Sequence, residues 1–100
     1  MVKHIILWQL KDNLSDAEKT DILNGIKTAL EGLNGKIPGL LSLKIITDKL
    51  PSSNADVMLY SEFENEDSLK GYSVHPLHVA AADNKVRPFT KSRTCIDYEI

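Results

Sequence analysis

Three side chains capable of acid–base chemistry fall close together in the stretch YSVHPLHVAAAD, which runs from Tyr72 to Asp83. His75 and His78 are three residues apart, and Tyr72 precedes His75 by the same spacing. Such a spacing places the side chains roughly on one side of a helix. An imidazole takes up and returns a proton near neutral pH, and a phenol donates a hydrogen bond to an oxygen that gains charge. The stretch therefore predicts a general base and a hydrogen-bond donor that face one ligand.

Two further candidates lie in segments with strand-like sequence. His4 shares a strand face with Ile6 and Trp8 wherever the strand ends, because side chains alternate with a period of two. Asp97 lies in the last apolar segment, and a carboxylate that accepts a hydrogen bond from an imidazole fixes its tautomer and raises its basicity. We expect Asp97 to orient His78. If the helices cover the face that carries His4, all three histidines approach one cavity.

Each candidate also has a purely structural interpretation. His75 stands where a helix would begin, and polar residues there commonly cap the helix or lie at the surface. His78 fits a partly buried histidine bonded to a backbone carbonyl, and His4 fits a structural residue at the end of a strand. Asp97 has an alternative partner in Arg93, which lies on the same strand face.

Metal binding is the competing chemical interpretation. Three histidines and a carboxylate are the ligand types of zinc and non-haem iron sites, but the pair in HPLH lacks the HExxH pattern or paired cysteines of established metal motifs. Cys95 is the only cysteine, which excludes an intrachain disulfide and a zinc site with several thiolates. We expect Cys95 to be a small buried hydrophobic residue. The sequence predicts neither a metal nor another cofactor.

The elements that position these residues follow from the apolar pattern. A capping box, Ser15 with Glu18 three residues on, begins a first helix, which we expect to end near Asn34–Gly35 because glycine favours the left-handed cap. Residues Glu66–Asp83 predict a second helical region in two pieces, since Pro76 fits best in the first turn of a new helix. Four segments predict strands: Val2–Leu10, Leu40–Lys49, Asp56–Phe63 and Lys91–Glu99.

The resulting order, βαββαβ, is that of the ferredoxin-like α+β fold, in which both helices pack on one face of a four-stranded antiparallel sheet. Two helices cannot cover both faces. The other face still carries apolar side chains, and so large an exposed patch is unusual in a monomer. We therefore expect a homodimer in which a second copy covers this face, formed by Ile5, Leu7, Met58, Tyr60, Ile96 and Tyr98.

Length and charge exclude several classes of function. One hundred residues with a net charge of -2 suit a single domain, residues 1–100, without the basic stripe that nucleic-acid binding requires. The longest apolar run, Ile5–Trp8, is too short for a membrane span or a signal peptide. We expect a cytoplasmic protein that binds neither nucleic acid nor membrane.

The chain also resembles a known family. The opening MVKHIILWQLKD, the core YSVHPLHVAAA, and then VRPF, SR and DYE resemble the Dabb family, the stress-responsive dimeric α+β barrel domain. The resemblance runs nearly end to end, and it implies a ferredoxin-like protomer whose sheet packs on that of a second protomer to form a dimeric α+β barrel.

Within that family the motifs are similar to those of plant polyketide cyclases, which close a linear polyketide by aldol condensation. The resemblance implies catalytic roles for Tyr72 and His78 and places His4 and Asp97 in the same site. The chain departs from those cyclases at Arg93, where they have an apolar residue, and an arginine suits a carboxylate or phosphate ligand. It also departs on the first helix, where aromatic pocket residues are replaced by Ile22, Leu23 and Ile26.

Taken together, these features predict a cavity between helices and sheet that binds a small, partly apolar, oxygenated molecule. If the protein is an enzyme, we expect a cofactor-free lyase or cyclase in which His78 removes a proton and Tyr72 stabilises the enolate. The alternative is a non-catalytic stress or stability protein with structural histidines. Beside the catalytic Tyr72, His78 and Asp97, the predicted binding residues are His4, Ile6, Trp8, Ile26, Leu59, Phe63, His75 and Arg93.

Overall fold

The computed structural model describes residues 1–100 and contains one sheet and three α-helices. The strands are β1 (Val2–Leu10), β2 (Leu40–Ile46), β3 (Val57–Phe63) and β4 (Thr90–Glu99). The α-helices are α1 (Asp16–Glu31), α2 (Glu66–Val74) and α3 (Pro76–Ala81). A π-helical turn, Ala82–Val86, and a 3-10 turn, Arg87–Phe89, connect α3 to β4.

The sheet is antiparallel throughout, with the strand order β2-β3-β1-β4. This is the ferredoxin-like α+β arrangement that the element order predicts, and that prediction is confirmed. The two central strands pair so that His4 lies opposite Ser61. The edge strand β4 places Asp97 opposite His4 and Arg93 opposite Trp8. Residues distant in the sequence thus meet beside His4 on one face of the sheet.

Local capping interactions fix where the helices begin. Ser15 and Glu18 form the predicted capping box at the start of α1: the Ser15 hydroxyl accepts from the Glu18 amide at 3.1 Å, and the Glu18 carboxylate accepts from the Ser15 amide at 3.0 Å. At the start of α2 the Asn65 side chain accepts from the Ser68 amide at 2.8 Å. Both caps satisfy amides that have no partner within the helix.

The break between α2 and α3 lies at His75, directly before Pro76. A proline ring disfavours the helical conformation of the preceding residue, and His75 accordingly adopts an extended backbone with φ -65° and ψ 132°. Pro76 then occupies the first turn of α3, where its missing N–H costs nothing. The predicted break at Pro76 is therefore present, and it sets the direction from which His78 approaches the sheet.

The predicted C-terminal ends of one helix and one strand are each about three residues too late. Helix α1 ends at Glu31 rather than near Asn34–Gly35, because the Asn34 amide instead bonds both the N–H and the C=O of Leu43 at 2.9 Å. Gly35 has the left-handed φ of 78°, but within the turn that follows the helix. Strand β2 ends at Ile46 rather than Lys49, since Ile46 is its last residue paired with β3.

The core lies between the helices and one face of the sheet, which we call the covered face. It carries His4, Ile6 and Trp8 from β1, all of them buried. Phe63 from β3 and Ile26 from α1 are both 0% exposed in the same core. The opposite face, which we call the open face, carries Ile5 and Leu7 from β1 and has no helix packed on it.

Strand β4 is the least buried part of the sheet. Apart from Thr90, each of its residues is exposed, because the helices lie over the other strands and leave this edge strand uncovered. Cys95 is therefore an exposed free cysteine, and the prediction of a buried one is wrong. None of the helices has the length and apolar character needed to traverse a membrane.

Candidate functional site: a cavity between the helices and the sheet

A cavity of about 510 Å³ lies between the helices and the covered face of the sheet. Ligand sites usually enclose about 300 Å³ or more, so a small organic molecule fits here. One part of the wall is apolar and comprises Ile6, Trp8, Leu30, Leu59, Ala82 and Val86. The rest is polar and comprises His4, Tyr72, Ser73, His78, Arg87, Thr90, Lys91, Ser92 and Arg93.

Tyr72 forms the inner end of the polar wall. Its side chain is 1% exposed, and its hydroxyl has no hydrogen-bond partner. Burial raises the pKa of the phenol, so the hydroxyl stays protonated at neutral pH and is available as a donor. A buried polar group without a partner is uncommon in a native structure. Here it lies in the wall of a cavity that has room to supply one.

His78 lies against Tyr72, with ring centroids 4.2 Å apart and planes inclined by 40°. Its Nδ1 lies 3.3 Å from the Ser73 carbonyl oxygen. Because a carbonyl oxygen only accepts, Nδ1 carries the proton and Nε2 is the free, basic nitrogen of the neutral ring. Desolvation by burial lowers the pKa of His78, and the charges of Arg87 and Arg93 lower it further. The side chain is therefore a neutral imidazole at neutral pH.

His4 forms a second imidazole centre, paired with Asp97. Its Nδ1 is hydrogen-bonded to the Asp97 carboxylate, and its ring packs edge-on against Phe63 and Tyr72, with centroids 6.2 Å and 6.1 Å away. The expectation that Asp97 orients His78 is wrong, because the β1–β4 register sets Asp97 opposite His4. Asp97 is also absent from the cavity wall, so it reaches the cavity only through the imidazole of His4.

His75 does not line the cavity. Its Nδ1 accepts from the Leu77 amide at 3.1 Å and caps α3, so the structure places this predicted binding residue outside the cavity, and the capping interpretation describes its contacts. The structure thus brings His4 and His78 to the cavity and leaves His75 outside. The physical reason is Pro76, which ends α2 at this point and separates the two imidazoles of the motif.

Ile26 and Phe63 are two further predicted binding residues that the cavity wall does not include. Both are completely enclosed by the core. Leu30, one turn after Ile26, lines the cavity in its place. Leu30 belongs to the same apolar stripe of α1, so the helical spacing of apolar residues could have indicated it. The sequence did not indicate Arg87 or Lys91 as cavity residues. Arg87 lies in a 3-10 turn and Lys91 at the start of β4, where side-chain periodicity does not predict which way a side chain points.

One group of side chains has the donor types of a metal site. His4, Cys95 and Asp97 place a nitrogen, a sulfur and an oxygen atom within 4.8 Å of one another. The nitrogen and oxygen are already hydrogen-bonded to each other, so a shared metal would have to break that bond. Desolvation and the Asp97 carboxylate raise the pKa of Cys95, which favours the thiol over the thiolate that binds metals. The hydrogen-bonded pair accounts for this geometry better than a metal centre.

Comparison with known proteins gives a consistent result over the whole chain. The family model of the stress responsive A/B barrel domain, Dabb, matches residues 2–100. Olivetolic acid cyclase from Cannabis sativa is 28% identical over 97% of this chain and 94% of its own length.

Two solved structures are also similar. A dimeric protein of unknown function with a ferredoxin-like fold, from Bacteroides fragilis, is 38% identical, with a TM-score of 0.92 over 99% of this chain and 95% of that one. A dimeric ferredoxin-like protein of unknown function from Thermobifida fusca is 26% identical, with a TM-score of 0.83 over 99% of this chain and 90% of that one.

Proposed function

The chain belongs to the stress responsive A/B barrel (Dabb) family, and from that premise we propose that it binds a small, partly apolar, oxygenated molecule in the cavity. The observation that carries this proposal is the Tyr72 hydroxyl, which is buried without a partner beside the imidazole of His78. A buried hydroxyl left unpaired costs about 1–3 kcal/mol. A ligand oxygen that accepts its hydrogen bond would remove this cost.

We further propose that the bound molecule undergoes a cofactor-free proton transfer of lyase or cyclase type. The proton on a carbon next to a ligand carbonyl moves to Nε2 of His78, and the electron pair of the broken C–H bond forms the C=C bond of an enolate. The carbonyl oxygen takes up the negative charge and accepts a hydrogen bond from Tyr72. The related olivetolic acid cyclase is an enzyme by its name, which supports a catalytic role.

The pair formed by His4 and Asp97 has a supporting place in this scheme. Asp97 accepts from Nδ1 of His4, which leaves Nε2 of that ring as an acceptor for a ligand hydroxyl. The ring also packs edge-on against Tyr72 and restricts the position of the phenol. His4 therefore binds ligand and positions Tyr72, while His78 takes the proton.

The working assembly in this proposal is a homodimer that packs open face on open face. Leu7, Ile96 and Tyr98 lie there with 39%, 59% and 41% of their surface exposed in a single protomer. The similar proteins from Bacteroides fragilis and Thermobifida fusca are dimeric. A second sheet on this face would close the barrel and leave one cavity in each protomer.

The test begins with a thermal-shift screen of small keto acids and phenolic ketones, followed by calorimetry and turnover assays on variants. We expect His78→Ala and Tyr72→Phe each to leave the protein folded and to reduce turnover by about 10²-fold or more, the usual contribution of general acid–base catalysis. His75→Asn is the matched control for the imidazole, since His75 lies in the same motif but outside the cavity, and asparagine can still cap α3. Tyr98→Phe is the matched control for the phenol.

Two results would reject the proposal. In the first, His78→Ala and Tyr72→Phe lower the melting temperature and leave ligand behaviour unchanged, which is the pattern of a non-catalytic protein with structural histidines. In the second, a hit binds the His78→Ala, Tyr72→Phe double variant as tightly as wild type, and the ligand then occupies another site.

A further inference from the structure

The charged side chains in the cavity wall are all of one sign. Arg87, Lys91 and Arg93 line it, and no aspartate or glutamate belongs to its wall. The field of these cations reaches the inner polar groups, since Arg93 lowers the pKa of Tyr72 and of His78. A cavity with permanent positive charge and no carboxylate favours an anionic ligand over a neutral or cationic one.

The three cations differ in what they contact. Arg87 pairs with Asp83 one helical turn earlier, and Lys91 pairs with Asp12 at 2.8 Å. Arg93 takes part in no ion pair. The nearest acidic residue on its strand face, Asp97, is occupied by His4. One guanidinium at the cavity therefore has no carboxylate partner and is available to bind an anion.

Arg93 also lies at a useful position relative to the rest of the wall. Its cross-strand neighbour is Trp8, and Trp8 with Ile6 forms apolar wall beside it. The Tyr72 hydroxyl supplies a second polar contact. It has no hydrogen-bond partner, and Tyr72 is buried. A ligand that meets both has an apolar body, an oxygen acceptor for Tyr72 and an anionic group for Arg93.

We propose that the ligand of this cavity is a small organic acid, whose oxyanion, a carboxylate or a phosphate, is bound by the guanidinium of Arg93. This inference rests on the proposed function and narrows it, because it names the charge of the ligand. A planar guanidinium donates two parallel hydrogen bonds to either oxyanion. The free Arg93 is thus a specificity-determining residue, and the paired Arg87 and Lys91 add to the field.

The test uses three probes that share one body and one ketone oxygen: β-benzoylpropanoate, its primary amide and the matching phosphonate. The ketone is available to Tyr72 in all three, and only the charged group differs. Calorimetry with wild type should give binding of the carboxylate or phosphonate at least about tenfold tighter than of the amide, since a hydrogen bond to a charged group contributes about 1.5–3 kcal/mol. Whichever anion binds more tightly identifies the oxyanion.

Variants separate this inference from the proposed function. Arg93→Gln should weaken binding of the acid by about tenfold or more and leave the amide unchanged, whereas Tyr72→Phe should weaken both. Lys36→Gln, which removes an exposed cation outside the cavity wall, is the charge-matched control, and circular dichroism checks the fold of each variant.

The outcomes are distinct. If acid and amide bind wild type equally and both depend on Tyr72, the anion inference is overturned and the cavity function stands. If the acid binds through Arg93 but independently of Tyr72 and His78, the proposed function fails, and the anion inference stands as a binding site that does not use these two side chains. If none of the three probes binds at millimolar concentration, both are overturned.

Discussion

The two faces of the sheet differ in how they are closed, although the same strands build both. On β1, Ile6 lies on the covered face and is 4% exposed, while its neighbour Leu7 lies on the open face and is 39% exposed. On β1, β2 and β3 the covered face is closed by the protomer's own helices, apart from the cavity. The open face also carries apolar side chains and has no cover. A single chain therefore encloses its own core and cavity but leaves its second apolar surface uncovered.

The open face is not uniformly apolar, and this limits where a partner can pack. Lys3 binds Glu62 at 2.8 Å, and its ammonium lies 4.5 Å from the centre of the Tyr60 ring. The hydrogen bond to Glu62 raises the pKa of Lys3. This ion pair lies at one end of β1, and Leu7 lies toward the other end of the strand.

The largest effect that we predict is on the open face. Leu7→Glu places a carboxylate in the proposed interface without a partner, and an uncompensated buried charge costs several kcal/mol. We expect the variant to dissociate while each protomer stays folded, as measured by light scattering and circular dichroism. Asn24→Glu adds the same charge at an exposed position of α1 and should leave the assembly intact. A wild-type protein that is a folded monomer at micromolar concentration would contradict the dimer.

How far the sequence predicts the two faces follows from the physics of each signal. The alternation along β1 assigns His4, Ile6 and Trp8 to one face without any knowledge of the fold, because the strand period is exact. The capping box at Ser15 and the break at Pro76 are equally local, and both helix starts were found. These signals depend only on neighbouring residues, so a single sequence contains them.

The parts of the site that the sequence does not give depend on register and on irregular turns. Asp97 meets His4 rather than His78 because of one cross-strand pairing, and a shift of that pairing by two residues would place Cys95 or Glu99 opposite His4 instead. Arg87 reaches the cavity from a 3-10 turn. So short a turn has no repeating pattern of apolar residues from which the side-chain direction could be predicted. Ile26 and Leu30 share one apolar stripe, and only packing decides which of them meets the cavity.

A smaller effect sharpens the distinction between the two imidazoles on the covered face. Asp97→Asn keeps the shape of the side chain but removes the charge that fixes the tautomer of His4. We expect turnover to fall by less than the ~10²-fold loss predicted for His78→Ala, because Asp97 acts through His4 and does not contact His78. Nitrogen chemical shifts of the imidazoles should change at His4 and stay constant at His78. A change in the nitrogen chemical shifts of His78 alone would instead indicate that Asp97 is paired with His78.

The smallest effect concerns the pH dependence of the covered face. Burial lowers the pKa of His78 below its usual value of 6.5, so the unfolded state binds this proton at a higher pH than the folded state does. The stabilising contribution is therefore present above about 6.5, the unfolded value, and is lost as pH falls through the folded pKa.

An NMR titration of the His78 ring should accordingly give a midpoint below 6.5 in wild type. Arg93→Gln should move this midpoint upward, because the guanidinium of Arg93 is one of the charges that lower it, whereas Lys36→Gln should leave it in place. If His78 acts as the base, turnover falls on the acid side with the same midpoint and the same upward shift in Arg93→Gln. If the acid-side midpoint of turnover is the same in Arg93→Gln as in wild type, the catalytic proton is on a group other than His78.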